Sequence, residues 1–343
     1  MTDGARARDG RRQTLKGGYM RIRISMGFIS RRLAVVGFCA TALVACGGGG
    51  GGSGPTISYT GSMSQAMVDS GNAAALAGGA FVSGDAGASA NVLATSEVVS
   101  QPVQQRSIKV ASVLRSAVGK IDLQSAPSVA VGAIQQESNT VSGPCGGTLS
   151  YTISVDDVTG AFNGTLSFSS YCETPGESIS GQVSFSGLID LVTPSFTSLQ
   201  FTATYLALTD NGKSFAIAGT VAFSFSGSTA TVTENFVIQD GSGKVYQVQN
   251  LTITLTNTLV ETQETLSGRF YHPDHGYIDV VTTVTFVVPS GSAFPTSGSL
   301  TINGASGTKA VLTALADGTY TLDIDTDGNG SLETHLTGNW VDL

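Results

Sequence analysis

Positive charge is what this chain has least of once its first 45 residues are set aside. Nine of its seventeen Lys and Arg precede Cys46, opposed there only by Asp3 and Asp9. From Cys46 to Leu343 there are 8 basic and 23 acidic residues, a net charge of −15. A surface this acidic repels phosphates, which excludes a nucleic-acid partner, and it avoids anionic lipid unless tethered. Histidine is scarce too. Three imidazoles leave few choices for a general base, and no Gly-x-Ser-x-Gly elbow accompanies them. Gly243-Lys244 has Ile238 where a phosphate loop needs glycine and Val245 where it needs Ser or Thr, so it reads as a turn. Asp156 and Asp157 are adjacent, and on a strand they would point to opposite faces, unlike the paired carboxylates of glycoside cleavage. Long apolar runs are missing as well. Leu33 to Ala45 falls short of the roughly 20 residues a membrane-spanning helix needs, and no comparable run follows. No fixed-period repeat occurs, which excludes a solenoid.

What is present begins with that short apolar stretch. It follows Arg31-Arg32 and ends in Leu43-Val44-Ala45-Cys46, just before a run of glycines. A positive segment, a brief apolar core and small residues before a cut site make a secretory signal. The segment resembles a bacterial lipoprotein signal, in which Leu-x-Ala-Cys is the lipobox. The resemblance implies cleavage before Cys46, diacylglycerol on its sulfur and membrane attachment through that lipid. Gly47, rather than Asp, after the cysteine implies the outer membrane. Ser30-Arg31-Arg32-Leu33 partly resembles a twin-arginine signal, but the residues after it match poorly. Residues 1–45 are therefore expected to be the signal, with 1–19 as extra sequence ahead of Met20. Residues 46–60 are the lipidated cysteine and a Gly-rich tether that buries nothing.

Cys39 lies in the signal, which leaves Cys145 and Cys172 in an oxidising compartment, where a pair is expected to bridge. They are centred on Asp156-Asp157-Val158-Thr159-Gly160, a good turn sequence. Folding the chain there makes paired positions sum to 317. Leu149 then faces Phe168, Tyr151 faces Leu166, Val155 faces Phe162 and Cys145 faces Cys172. All share one face, whereas a one-residue slip would separate them. A bulge near Asn163-Gly164 would shift this register.

Composition divides the rest. Residues 61–140 are Ala- and Val-rich and partly helical. Gln65 to Ala77 reads as a weak helix stopped by Gly78-Gly79. Pro102 to Ile121 reads as a stronger one, with Val110, Val113, Leu114, Ala117, Val118 and Ile121 at helical spacing. It packs on the sheet or lids a β cavity. Residues 141–290 alternate apolar with Thr or Ser, as in Leu149-Tyr151-Ile153-Val155 and Leu251-Ile253-Leu255, the mark of antiparallel strands with one wet side. Turn sequences such as Asp240-Gly241-Ser242-Gly243, Asn303-Gly304 and Asp317-Gly318 fall between them. The expected fold is mainly β: an antiparallel meander of roughly a dozen strands, forming an open barrel or a two-sheet sandwich, with one or two N-terminal helices. A pause at Pro289 to Ser297 marks off residues 291–343 as C-terminal hairpins.

Two clusters carry ligand-type side chains. Asp323, Asp325, Asp327, Asn329 and Glu333 resemble the first half of a calcium loop, making calcium the one cofactor candidate. The twelfth position counted from Asp323 is Thr334, with Glu333 one early, and no helices flank the loop, so a hairpin turn is the competing reading. His272, Asp274 and His275 form a second metal candidate, with His335 as a further ligand, or a turn between two strands. Trp340 and the other aromatics are expected to fill the core. The sequence supports a non-enzymatic, lipid-anchored outer-membrane protein, with no catalytic residues and a β-rich domain of structural or binding role toward an envelope protein. The alternative is a periplasmic carrier of lipid or another apolar ligand.

Overall fold

Among the described residues the alternation in the sequence becomes fourteen strands. The computed structural model describes residues 56–90, 134–193, 195–210 and 212–343. Its strands are β1 (Ile134–Ser142), β2 (Thr148–Asp156), β3 (Ala161–Tyr171), β4 (Glu177–Asp190), β5 (Ser195–Asp210), β6 (Lys213–Ser226) and β7 (Thr229–Gln239). They continue with β8 (Val245–Asn257), β9 (Glu261–His272), β10 (Gly276–Pro289), β11 (Ser297–Asn303), β12 (Lys309–Ala314), β13 (Thr319–Asp325) and β14 (Thr334–Asn339). All belong to one antiparallel sheet whose spatial order is the chain order, from β1 at one edge to β14 at the other. The sheet is not closed. Pro289 to Ser297 is a turn within it, because β10 pairs directly with β11 from Asp279↔Asn303 to Val287↔Ser297.

The expected hairpin forms in the expected register. Pairs run from Thr148↔Ser169 to Val155↔Phe162 with no slip at Asn163-Gly164. Cys145 and Cys172 are bridged, with their Cα atoms 5.2 Å apart. Leu149, Tyr151, Leu166 and Phe168 are buried, so their shared face is the core face. The other face carries the hydroxyls, which bond across strands, as Thr152 does with Thr165 at 2.8 Å.

One helix, α1 (Ala73–Ala90), packs on the apolar face against β7, β8, β9 and β13. From β8 to β13 is five strand spacings, about 24 Å in a flat sheet. A helix about 10 Å wide reaches both only if the sheet curls around it. Leu76, Ala77 and Ala80 are fully buried there. The Phe81 ring lies 4.8 Å from Trp340 and 5.4 Å from Phe286, centroid to centroid.

The position of α1 corrects the sequence expectation. The chain at Gln65 is extended and forms a parallel bridge with Tyr277, and the helix starts only at Ala73. Asp69 opens it by accepting from the backbone N–H groups of Gly71 and Asn72. The helix then runs through Gly78 and Gly79 instead of stopping. The reason is tertiary: a Cβ on Gly79 would sit 2.3 Å from the Phe270 ring, so the missing side chain admits that ring. Close packing outweighs the roughly 1 kcal/mol by which glycine disfavours a helix. The expected helix from Pro102 to Ile121 lies outside the described residues. Among the described residues no helix is long and apolar enough to cross a membrane.

The chain ahead of α1 is strapped to one end of the sheet. The Tyr59 hydroxyl donates to the His272 carbonyl, and its ring packs 5.3 Å from that of Tyr271. Ala66 N–H donates to the Tyr277 carbonyl, and Ala305 N–H donates to the Ala66 carbonyl. Val68 N–H donates to the buried Thr308 hydroxyl. A Cβ on Gly276 would meet the Ser64 carbonyl at 2.2 Å, so the strap lies directly on the β9–β10 turn.

A meander places alternate turns at opposite ends. The strap end holds the turns after β1, β3, β5, β7, β9, β11 and β13. The far end holds the turns after β2, β4, β6, β8, β10 and β12.

Candidate functional sites

The acidic loop follows β13 at the strap end. Among the described residues, Asp325, Asp327 and Glu333 are the one group of three or more metal-ligating side chains whose donor atoms come within 4.8 Å of one another. Asp325 is fully buried, and its two oxygens accept from Gly328 N–H at 2.7 Å and Gly330 N–H at 2.8 Å. Burial pushes its carboxyl up, but those two bonds and nearby Lys309 outweigh burial and hold it below the usual range. Glu333 accepts from Thr326 N–H, and Asp327 accepts from both the backbone and the side-chain N–H of Asn329.

Asp323 lies two residues earlier on the same side of β13, within the paired part of the strand, and there it pairs with His335 on β14. The five expected oxygens therefore divide. Three carboxylates gather, Asn329 bonds to one of them, and Asp323 is engaged elsewhere. Calcium takes six to eight oxygens. Here the carboxylate oxygens already accept N–H groups, and the chemistry they perform is closure of a long hairpin.

The histidine turn links β9 to β10. His272 is buried, with Nδ1 accepting from Asp274 N–H at 3.2 Å. Its ring centroid lies 4.5 Å from that of His275, and Tyr246 meets it edge-on at 5.3 Å. Burial first, and then the neighbouring His275, lowers the basicity of His272, keeping it neutral further into acid than an ordinary imidazole. The Asp274 carboxylate forms an ion pair with Lys244 of the β7–β8 turn. The turn thus joins two hairpins and lies under the strap, and His335 is held by Asp323. Arg269 makes a two-pronged contact with Asp279 at 2.7 and 3.0 Å, and its guanidinium lies 3.9 Å from the centre of the Tyr277 ring. Its N–H groups are fixed on a neighbouring strand.

A further feature escaped the sequence reading. The hydroxyl face of β1–β5 bears a cavity of about 450 Å³ lined by Thr152, Ser154, Asn163, Thr165, Ser184 and Gln200, among others. These residues lie in register across the strands: Ser154 opposite Asn163, Asn163 opposite Ser186, Ser186 opposite Gln200. Apart from Phe185 and Gly164, its lining is uncharged hydroxyls and amides, able to donate and accept hydrogen bonds but not to activate a nucleophile. The signal was present as Ser, Thr, Asn and Gln at the wet positions of consecutive strands. It becomes a surface only when the pairing is known. Cys46, the expected lipidation site, lies outside the described residues. The chain matches no family model, no curated protein and no solved structure.

Proposed function

We propose that the protein is a non-enzymatic, lipid-anchored protein of the outer membrane whose curled sheet serves as a scaffold with a structural or binding role. The observation that carries this reading is the strap. Tyr59, Ala66 and Val68 are hydrogen-bonded to the β9–β10 and β11–β12 turns, so the first described residues are fixed at one end of the sheet. A tether ahead of them would act on that end. The acids of the described clusters close turns, His335 is paired with Asp323, and the uncharged groove on β1–β5 offers hydrogen bonds to a polar partner. The close packing of Phe81, Phe286 and Trp340 beneath α1 favours a scaffold over a carrier of apolar ligands, which would need space there.

The test is metabolic labelling with palmitate, followed by fractionation. The native chain is expected to take up label and sediment with membranes, whereas Cys46→Ala loses both. Label that persists in Cys46→Ala would refute anchoring at this residue.

A further inference from the structure

We propose that the far-end rim is a lipid-contacting edge, which inserts the aliphatic tips of its hairpins into a bilayer of zwitterionic headgroups. Val158 in the β2–β3 turn is 60% exposed and Val192 in the β4–β5 turn 85%. Leu259 and Val260 in the β8–β9 turn are 100% and 69% exposed. Leu315 in the β12–β13 turn is also exposed. The strap end exposes Met63, Met67 and Leu332, but among the described residues the three most exposed large apolar side chains, Leu259, Val192 and Val260, all stand at this rim, which marks it as an interaction surface.

Three observations select lipid. Turns at the same end are two strands apart, about 10 Å, so the aliphatic tips stand apart and suit entry between headgroups, although backbone bonds such as Ile189 to Gly160 and Ser290 to Val260 join neighbouring turns behind them. A continuous protein interface needs a packed apolar centre, which spaced prongs do not form.

In each of three prongs the turn's own Asp or Thr side chain takes up two backbone N–H groups. Val158 and Thr159 N–H groups donate to Asp156, those of Val192 and Thr193 to Asp190, and those of Val260 and Glu261 to the Thr258 hydroxyl. Each N–H taken up in this way lowers the cost of bringing a non-helical backbone toward a medium of low polarity.

Charge decides which lipid. Lys213, Lys244, Arg269 and Lys309, the cations of the described residues, lie at or near the strap end. Behind the far-end tips stand Asp156, Asp157, Asp190, Glu261 and Asp317. This ring repels anionic lipid, suits choline or ethanolamine ammonium groups, and opposes pairing of two such rims.

The test places a fluorescent reporter at one prong of the full-length chain. Val192→Trp is mixed with phosphatidylcholine–phosphatidylethanolamine vesicles containing brominated phosphatidylcholine, a short-range quencher. The expected result is a blue shift and loss of most of the added emission, while emission from buried Trp340 persists. Adding Val158→Ser, Leu259→Ser and Val260→Ser is expected to abolish the quenching. These positions are exposed, so folding is retained. Unchanged emission at Val192→Trp would overturn the proposal, as would quenching confined to anionic vesicles. So would self-association of the native chain, without lipid, that the serine substitutions abolish, because the rim would then join copies of the chain.

Discussion

The two ends of the sheet are built from the same hairpins and differ in what their turns carry. At the strap end the turns are rich in Gly, Asn and Asp, bound to one another by Cys145–Cys172 and Lys244–Asp274, and overlaid by residues 59–68. At the far end, apart from the Trp340–Asp342 turn that follows β14, neighbouring hairpins meet through single backbone bonds, such as Ile189 to Gly160 and Ser290 to Val260, without a described disulfide or ion pair. The tips of β2–β3, β4–β5 and β8–β9 are braced by their own Asp or Thr. One end is cross-linked and the other is presented. Identical strand geometry does not determine what a rim does; the side chains at every second turn do.

The largest expected effect breaks this comparison through Trp340, which is fully buried beside β13 and anchors the far part of α1. Trp340→Ala should destabilise the domain by about 3–5 kcal/mol in urea unfolding, since a large aromatic leaves a cavity. Removing the bridge with Cys145→Ser and Cys172→Ser should cost roughly 3 kcal/mol at the opposite end, from the loop entropy restored to the unfolded chain. Both variants should shift one shared transition if the ends fold as a unit, whereas two separated transitions in calorimetry would show that they do not.

Gly79→Val should cost about 1–3 kcal/mol by forcing the Phe270 ring aside, seen as a lower urea midpoint with an unchanged slope. The smallest effect is local to the tips. The Val158 N–H bond, then Thr159, holds the Asp156 carboxyl below the usual range, while for Asp190 the Thr193 hydroxyl leads and Val192 N–H follows. Carboxyls with lowered values contribute ordering above the ordinary carboxylate range and lose it as pH falls through their folded values. The amide resonances of Val158 and Val192 are therefore expected to titrate together with these carboxyls in acid, and Asp190→Asn should flatten the Val192 curve alone.

Much of the architecture was legible because alternation with a period of two leaves little choice of register once one face is buried. The hairpin between Leu149 and Phe168 could be placed to the residue, since the cysteines and the apolar pairs demanded the same fold point. The helix was misplaced because Gly78 and Gly79 signal a stop locally, while their purpose depends on a ring almost 200 residues later. The strap was invisible for a similar reason. Ser62 to Val68 has no periodic pattern, and its partners are carbonyls, N–H groups and hydroxyls of distant turns. In the acidic loop the residues were visible but not their division. Only the β13–β14 register sets Asp323 against His335 and leaves Asp325 beyond the last pair, and only the turn geometry gives both Asp325 oxygens to glycine N–H groups.

The contact between Phe81 and Trp340 also has a meaning in time. Every strand pairs with its immediate successor, so the sheet can zip hairpin by hairpin as the chain emerges, through contacts of short range in sequence. The helix cannot. Its partners lie up to about 260 residues downstream, and closing that loop costs about 3 kcal/mol more than closing a ten-residue hairpin. The segment made first is thus among the last to dock. Until the final residues arrive, its apolar side chains have no complete pocket, and loss of the last four residues alone would strip Trp340 from the seat that β7, β8 and β9 otherwise provide.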